Sequence, residues 1–227
     1  MRFVFALFAL LAVGLTCSYA GDLKGRVIFQ GAVPAPGTIK ITKDTSVCGT
    51  EKELHKVAVD AKGGVEGALV RIVGLKSAVP YTGPQPVLDQ KNCQFTPAVV
   101  AVPAGSTLTI TSDDPVLHNA HAYKEDGSTA FNLAVPIKGM KIPWKATANP
   151  GVLKMKCDAG HTWMEGYVVV TENPYFALTA ADGSFTISNV PAGTYQVEAW
   201  HPYLGKQTQT VKVAATGAVL TFQLSAK

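Results

Sequence analysis

The sequence predicts an all-β protein folded as two small sandwiches, and three observations carry that prediction. Apolar residues recur at period two in many short stretches, such as Leu23, Val27 and Phe29, then Leu108 and Ile110, then Phe185 and Ile187. Turn signals punctuate them: Pro34-Ala35-Pro36-Gly37, Lys62-Gly63-Gly64, Pro103-Ala104-Gly105, Asp182-Gly183 and Pro191-Ala192-Gly193. Charged residues make up only 16% of the chain, while Thr, Val, Gly and Pro are plentiful, a balance that favours strands and turns over helices. No stretch holds three turns of helical periodicity, and no internal repeat is evident.

The start of the chain reads as a secretory signal. Residues 3–14 form a short apolar run behind Arg2, and Ser18-Tyr19-Ala20 places small residues at the cleavage positions. The run is too short to span a bilayer, and no second apolar stretch follows it. A lipidated Cys17 fits less well, because Gly14 stands where that signal places leucine. Cleavage after Ala20 removes 20 of 227 residues and leaves 207, enough for two β domains with separate cores. Loss of Arg2 takes the formal charge from +4 to +3. A mild positive balance without basic runs gives no reason to expect nucleic acid. The expected location is periplasmic or extracellular, with no transmembrane segment.

Taken in order, residues 23–29 alternate as a half-buried strand and residues 38–42 form a short second one. Residues 44–56 are polar, carry Cys48, and read as an irregular connection with one helical turn at 51–55. Residues 68–73 are another strand, and the Pro- and Gly-rich residues 77–90 read as a linker. Leu108 and Ile110 point one way along a strand that Ser112-Asp113-Asp114-Pro115 breaks. Asp126-Gly127 marks a turn. Leu153, Met155 and Cys157 then alternate with Lys154 and Lys156, so the Cys157 sulfur lies on the inward face. After a loop, residues 167–170 form an apolar β-branched run typical of a fully buried strand. Beyond Asn173-Pro174, strands are expected around Ser184–Ile187, Tyr195–Ala199, Val211–Val213 and Leu220–Leu224.

The hairpin at 151–170 carries the chemistry. Within eight residues its loop offers a thiolate (Cys157), an imidazole (His161) and a thioether (Met164). That mixture suits soft, redox-active copper, with Met as a weak axial ligand. A second imidazole stands at His118, just after a strand.

This loop resembles the copper loop of cupredoxins, the blue copper proteins, and the stretch from Val99 to Thr111 leading to His118-Asn119 resembles their first-ligand region. The likeness spans residues 86–172 and keeps the order His, Cys, His, Met. It implies a Greek-key β-sandwich holding one copper through His118, Cys157, His161 and Met164. It also implies that Asn119 hydrogen-bonds across to the Cys loop at Asp158. The Cys-x3-His spacing departs from the two or four intervening residues usual in single-copper members, and a second bridging thiolate is absent. A second likeness lies in Thr179-Ala180-Ala181-Asp182-Gly183-Ser184-Phe185 and Val190-Pro191-Ala192-Gly193-Thr194-Tyr195. These are similar to the prealbumin-like β-sandwich known as the carboxypeptidase regulatory-like domain, with an early strand at residues 64–71. Residues 21–80 and 174–227 are therefore expected to form one smaller sandwich, with the cupredoxin-like part inserted.

The mature chain keeps Cys48, Cys93 and Cys157, an odd number for an exported protein. A Cys48–Cys93 disulfide with Cys157 as metal ligand accounts for all three; pairing Cys157 with either of the others would leave no metal site. His121 reads as a solvent-facing histidine or an extra ligand, Glu165 as an oxygen substitute for Met164, and Trp163 as a shield over the metal. Trp200-His201-Pro202 is expected to pack within the second sandwich.

Three functions compete at this point. A mononuclear site with two His, one Cys and one Met leaves no vacant position for a substrate, so an electron carrier is expected rather than an enzyme. No Ser/His/Asp set or paired carboxylates suggest hydrolysis. Its partner would be a transient redox protein such as a c-type cytochrome, docking at a solvent-near edge of His161. Copper storage or delivery is the second reading, and a surface or matrix binding module the third.

Overall fold

A computed structural model describes residues 20–146 and 149–226. The expected leader, Cys17 included, lies outside the described residues except for Ala20. The elements run as β1 (Ala20–Gln30), β2 (Gly37–Lys40), α1 (Thr45–Cys48), β3 (Glu51–Leu54) and β4 (Leu69–Val73). Nine strands follow: β5 (Val87–Lys91), β6 (Gln94–Thr96), β7 (Val99–Pro103), β8 (Thr107–Ile110), β9 (His118–Tyr123), β10 (Thr129–Val135), β11 (Ile142–Lys145), β12 (Gly151–Lys156) and β13 (Glu165–Thr171). The chain ends with β14 (Phe176–Leu178), β15 (Ser184–Pro191), β16 (Gly193–His201), β17 (Gly205–Val213) and β18 (Ala218–Ser225). Among the described residues, every regular element apart from the single turn α1 is a strand.

Strands β5 to β13 form the first sandwich, with sheets ordered β10-β9-β12-β13-β7 and β11-β8-β5-β6. Its core gathers Leu88, Phe95, Leu108, Ile110, Phe131, Met155 and Val168. The second sandwich draws on both ends of the chain, in sheets β15-β1-β18 and β14-β4-β16-β17. Val27 on β1 lies beside Phe222 on the parallel strand β18, and Val70 on β4 lies between Ala177 and Ala199. Its core holds Leu23, Val65, Ile72, Phe185, Val197 and Phe222. The first sandwich thus enters the chain after β4 and leaves before β14, two strands that pair directly.

The apolar run at 167–170 explains how the halves meet. Successive side chains of a strand point to opposite faces. Val168 and Val170 enter the first core, while Tyr167 and Val169 face outward and join Leu69, Phe176, Leu178 and Trp200 of the second sandwich. β7 does the same, with Val100 and Val102 inside and Val99 and Ala101 in the shared layer. Trp200 meets Tyr167 edge-on at 5.8 Å. Trp200 therefore packs between the sandwiches rather than within the second one, while His201 is buried as expected.

Three sequence expectations change. Residues 44–56 are not an irregular connection: the helical turn lies at Thr45–Cys48 rather than at 51–55, where β3 pairs with β2 as a two-stranded ribbon. Assigned from sequence to the second sandwich, this arm instead packs Ile39, Ile41, Val47 and Cys48 onto the first core. Its strands hold only exposed and half-buried residues, so they lack the apolar period that marks a buried strand. The supposed linker contains β5, whose Val87 and Leu88 pair with β8. Cys48 and Cys93 form a disulfide across 45 residues, tying the arm to the β5–β6 hairpin. Closing such a loop removes about 4 kcal/mol of unfolded-chain entropy.

Candidate metal centre

The site sits where β9 begins and β12 ends. β12 alternates buried and exposed residues, which aims Cys157 inward beside Leu153 and Met155. His118 is the first residue of β9, and β12 pairs with β9 through Lys156 and His121, bringing His118 beside the strand that leads into Cys157. The loop after Cys157 turns at Gly160, where φ is +96° and the Lys43 side chain crosses so closely that a Cβ would lie 2.8 Å from its Cδ. Only glycine suits both demands. The turn delivers His161 back over Cys157.

His118, Cys157 and His161 converge. The two Nδ1 atoms lie 3.1 Å apart, and Cys157 Sγ lies 3.8 Å from that of His118 and 3.6 Å from that of His161. Both imidazoles are completely buried, and Cys157 nearly so. Met164 is buried in the same core cluster as Cys157, and its N–H donates to the His161 carbonyl at 3.0 Å.

The outer nitrogens are equally constrained. His118 Nε2 lies 2.9 Å from Asp114 Oδ2, and His161 Nε2 lies 2.9 Å from Asp44 Oδ2. An ionised carboxylate only accepts, so each Nε2 faces a group to which it can donate, and in a neutral ring that donation leaves a lone pair on Nδ1. Two ring nitrogens 3.1 Å apart, with a sulfur against both, need a proton or a metal ion among them. Burial, and then the neighbouring His118, hold the pKa of His161 below the usual imidazole range, while Asp44 pulls it upward. Burial pushes the Cys157 thiol up, opposed by the backbone N–H groups of Asn119, Ala159 and His161. A bound metal ion would reverse the preference of Cys157, since it favours thiolate, and reinforce that of His161, since it takes neutral imidazole.

Asn119 links the ligand segments: its Oδ1 accepts the N–H of Asp158 at 2.6 Å and that of Ala159 at 3.2 Å, while Nδ2 donates to Asn132 Oδ1 at 2.7 Å. His121 does not join the three converging groups. It lies 2.5 Å from Asp158 Oδ2, 2.7 Å from the Tyr123 hydroxyl and 2.8 Å from Thr129 Oγ1, and stacks on the Tyr123 ring. Nor is Glu165 directed at the site; it pairs with Lys154 at 2.8 Å and accepts from the Tyr167 hydroxyl at 2.6 Å. Trp163, half-buried, stands edge-on to His161 at 5.3 Å and donates to the Cys93 carbonyl at 3.0 Å.

One expectation fails. His161 has no edge near solvent, because the arm carrying Asp44 covers its Nε2. Sequence reading also missed Asp114 and Asp44. Asp114 precedes His118 by four residues but looked like a strand breaker. Asp44 lies 117 residues from His161, and nothing local marks it.

The family model of the β-sandwich domain of ER membrane protein complex subunit 7 matches residues 159–225, from the ligand loop through the second sandwich. No curated protein matches the chain. Solved structures similar to part of it include a purple cupredoxin from Nitrosopumilus maritimus, 24% identical over 38% of this chain and 100% of that one, with TM-score 0.33. Amicyanin from Paracoccus versutus is 17% identical over 45% of this chain and 97% of its own, with TM-score 0.34. A copper-containing nitrite reductase from Thermus scotoductus is 22% identical over 44% and 25% respectively, with TM-score 0.33.

Proposed function

We propose that this chain is an exported electron-transfer protein that holds one copper ion through His118, Cys157, His161 and Met164. The observation that carries the reading is the convergence of two buried Nδ1 lone pairs and a cysteine sulfur on one point, with both Nε2 protons already committed to carboxylates. Such a donor set calls for a cation, and its softness favours copper. Copper would supply the one-electron couple; the chain's part is to hold the donors in one geometry through the Asn119 bridge and the two carboxylates. A pre-formed site on strands reduces the rearrangement between oxidation states.

Burial favours retention over delivery, since copper released to an acceptor needs a ligand near the surface. Electrons would pass by way of Trp163, the half-buried ring against His161, to a transient partner such as a c-type cytochrome. The prealbumin-like second sandwich serves as a scaffold, and no substrate position is assigned.

The test is titration of the metal-free, disulfide-intact protein with copper. One equivalent should produce an intense visible charge-transfer band that ascorbate removes, and Cys157→Ser should abolish it. A band that survives in that variant rejects the assignment. Stopped-flow oxidation of the Cu(I) form by a cytochrome, with copper measured afterwards, separates the readings. Copper retained through fast, reversible oxidation supports transfer; slow oxidation with loss of copper supports delivery.

A further inference from the structure

The arm formed by β2, α1 and β3 belongs to neither sandwich, yet it supplies the group that touches His161. Asp44 sits at the N-terminal end of α1 with a left-handed backbone, φ 49°, and its carbonyl accepts the N–H groups of Val47 and Cys48 at 2.9 Å. Its carboxylate is thereby fixed four residues from the disulfide. On the other side of that disulfide, Asn92 and Cys93 are also left-handed, φ 51° and 53°, and their N–H groups donate to Asp114 at 2.8 and 2.7 Å. Asp114 is almost fully buried and reaches His118. One covalent bond therefore joins the two short segments that orient the two carboxylates, and both cysteine sulfurs lie close to a His161 nitrogen.

We propose that Asp44 and Asp114 are positioning residues of the metal site, clamped as a pair by the Cys48–Cys93 disulfide, and that they bias it toward the higher oxidation state of the bound metal. The inference rests on the copper reading above. Each carboxylate accepts the Nε2 proton of its imidazole, which fixes the tautomer, aims Nδ1 inward and makes the ring a stronger donor. A stronger donor stabilises Cu(II) more than Cu(I). Asp113, adjacent to Asp114 but paired with Lys91 at 3.2 Å, supplies a control of equal charge that does not touch the site.

The experiment uses the full, disulfide-intact chain. Asn at position 44 keeps an acceptor for Nε2–H but removes the charge. Asp44→Asn should weaken Cu(II) relative to Cu(I) about tenfold in competition titrations, a rise of about 59 mV in reduction potential for this one-electron couple. Asp114→Asn should move the potential in the same direction, and Asp113→Asn should leave it unchanged. Nitrogen-15 NMR of the metal-free protein reads the tautomer directly. His161 should carry its proton on Nε2, and the Nδ1–H form should emerge in Asp44→Ala. Equal potentials in Asp44→Asn and the parent overturn the proposal, as does an Nδ1–H tautomer of His161 in the parent. A parent chain that takes up no copper would instead reject the copper reading, while the NMR result would still decide the positioning of His161.

Discussion

The two sandwiches differ in what some of their buried polar side chains meet. In the second, buried polar groups are used on the backbone or on each other. Thr179 Oγ1 accepts the Ala68 N–H at 2.8 Å and donates to the Val65 carbonyl at 2.6 Å. Asn173 Nδ2 donates to the carbonyls of Ile72 and Leu75, and Glu198 pairs with Arg71 at 2.7 Å. In the first, His118, His161 and Cys157 turn their remaining lone pairs toward one another, and Gln90 Oε1 has no hydrogen-bond partner among the described residues. Three potential donors gathered on one buried point form an arrangement that a cation would suit, and the second sandwich has no counterpart to it among the described residues.

Breaking the second sandwich should therefore cost stability and leave the metal chemistry alone. The largest effect is expected from Phe222→Ala, which empties a fully buried site against Phe185. It should lower unfolding free energy by about 3–5 kcal/mol in urea, with the visible band of the folded protein unchanged.

Removing the disulfide should join the two effects. A Cys48→Ala, Cys93→Ala double variant should lose about 2–4 kcal/mol. Unlike Phe222→Ala, it should also weaken copper binding, because the segment carrying Asp44 is released. Copper affinity equal to that of the parent would show that the arm is only a brace.

Acid should distinguish the halves next. Burial lowers the pKa of His201 in the second sandwich to about 4, and its Nδ1 accepts the Tyr203 N–H. With the folded value below the unfolded value of about 6.5, the unfolded chain binds the extra proton first, so stability falls as pH drops from about 6.5 toward 4. The loss should approach roughly 3 kcal/mol, and His201→Gln should flatten that part of the curve. The profile is read from urea midpoints of the metal-free protein.

A finer probe is Thr179→Val, which keeps the volume and deletes both backbone links. Leaving the Ala68 N–H and Val65 carbonyl unmatched should cost about 1–3 kcal/mol, again with no change in the band. The smallest effect belongs to the surface. Breaking the Lys154–Glu165 pair with Glu165→Gln should change stability by less than about 1 kcal/mol and leave copper uptake intact, since Glu165 points away from the site.

The sequence displayed much of this plan because strand periodicity survives wherever one face meets a core. Leu153, Met155 and Cys157 announced an inward cysteine, and the unbroken apolar run at 167–170 announced a strand covered on both sides. The arm escaped notice because β3 is Glu-Lys-Glu-Leu, a polar ribbon without a buried face of its own. β5 was hidden for a similar reason: Asp89, Gln90 and Lys91 follow a proline-rich stretch, so its short apolar signal is diluted. The carboxylates were harder still. A metal ligand can be suspected from residue type and spacing, whereas Asp44 reaches His161 only through a disulfide and a left-handed turn that local pattern does not encode.

That arm has a consequence for portability. Cutting the chain between Gly74 and Asn173 and closing the gap with a short turn would rejoin β4 and β14, which already pair. The excised piece would carry His118, Cys157, His161 and Met164. It would arrive in a new host with a bare imidazole at His161 and a widowed thiol at Cys93, since Asp44 and Cys48 stay behind. The four candidate residues can be transplanted; their surroundings are threaded through the part of the protein left at home.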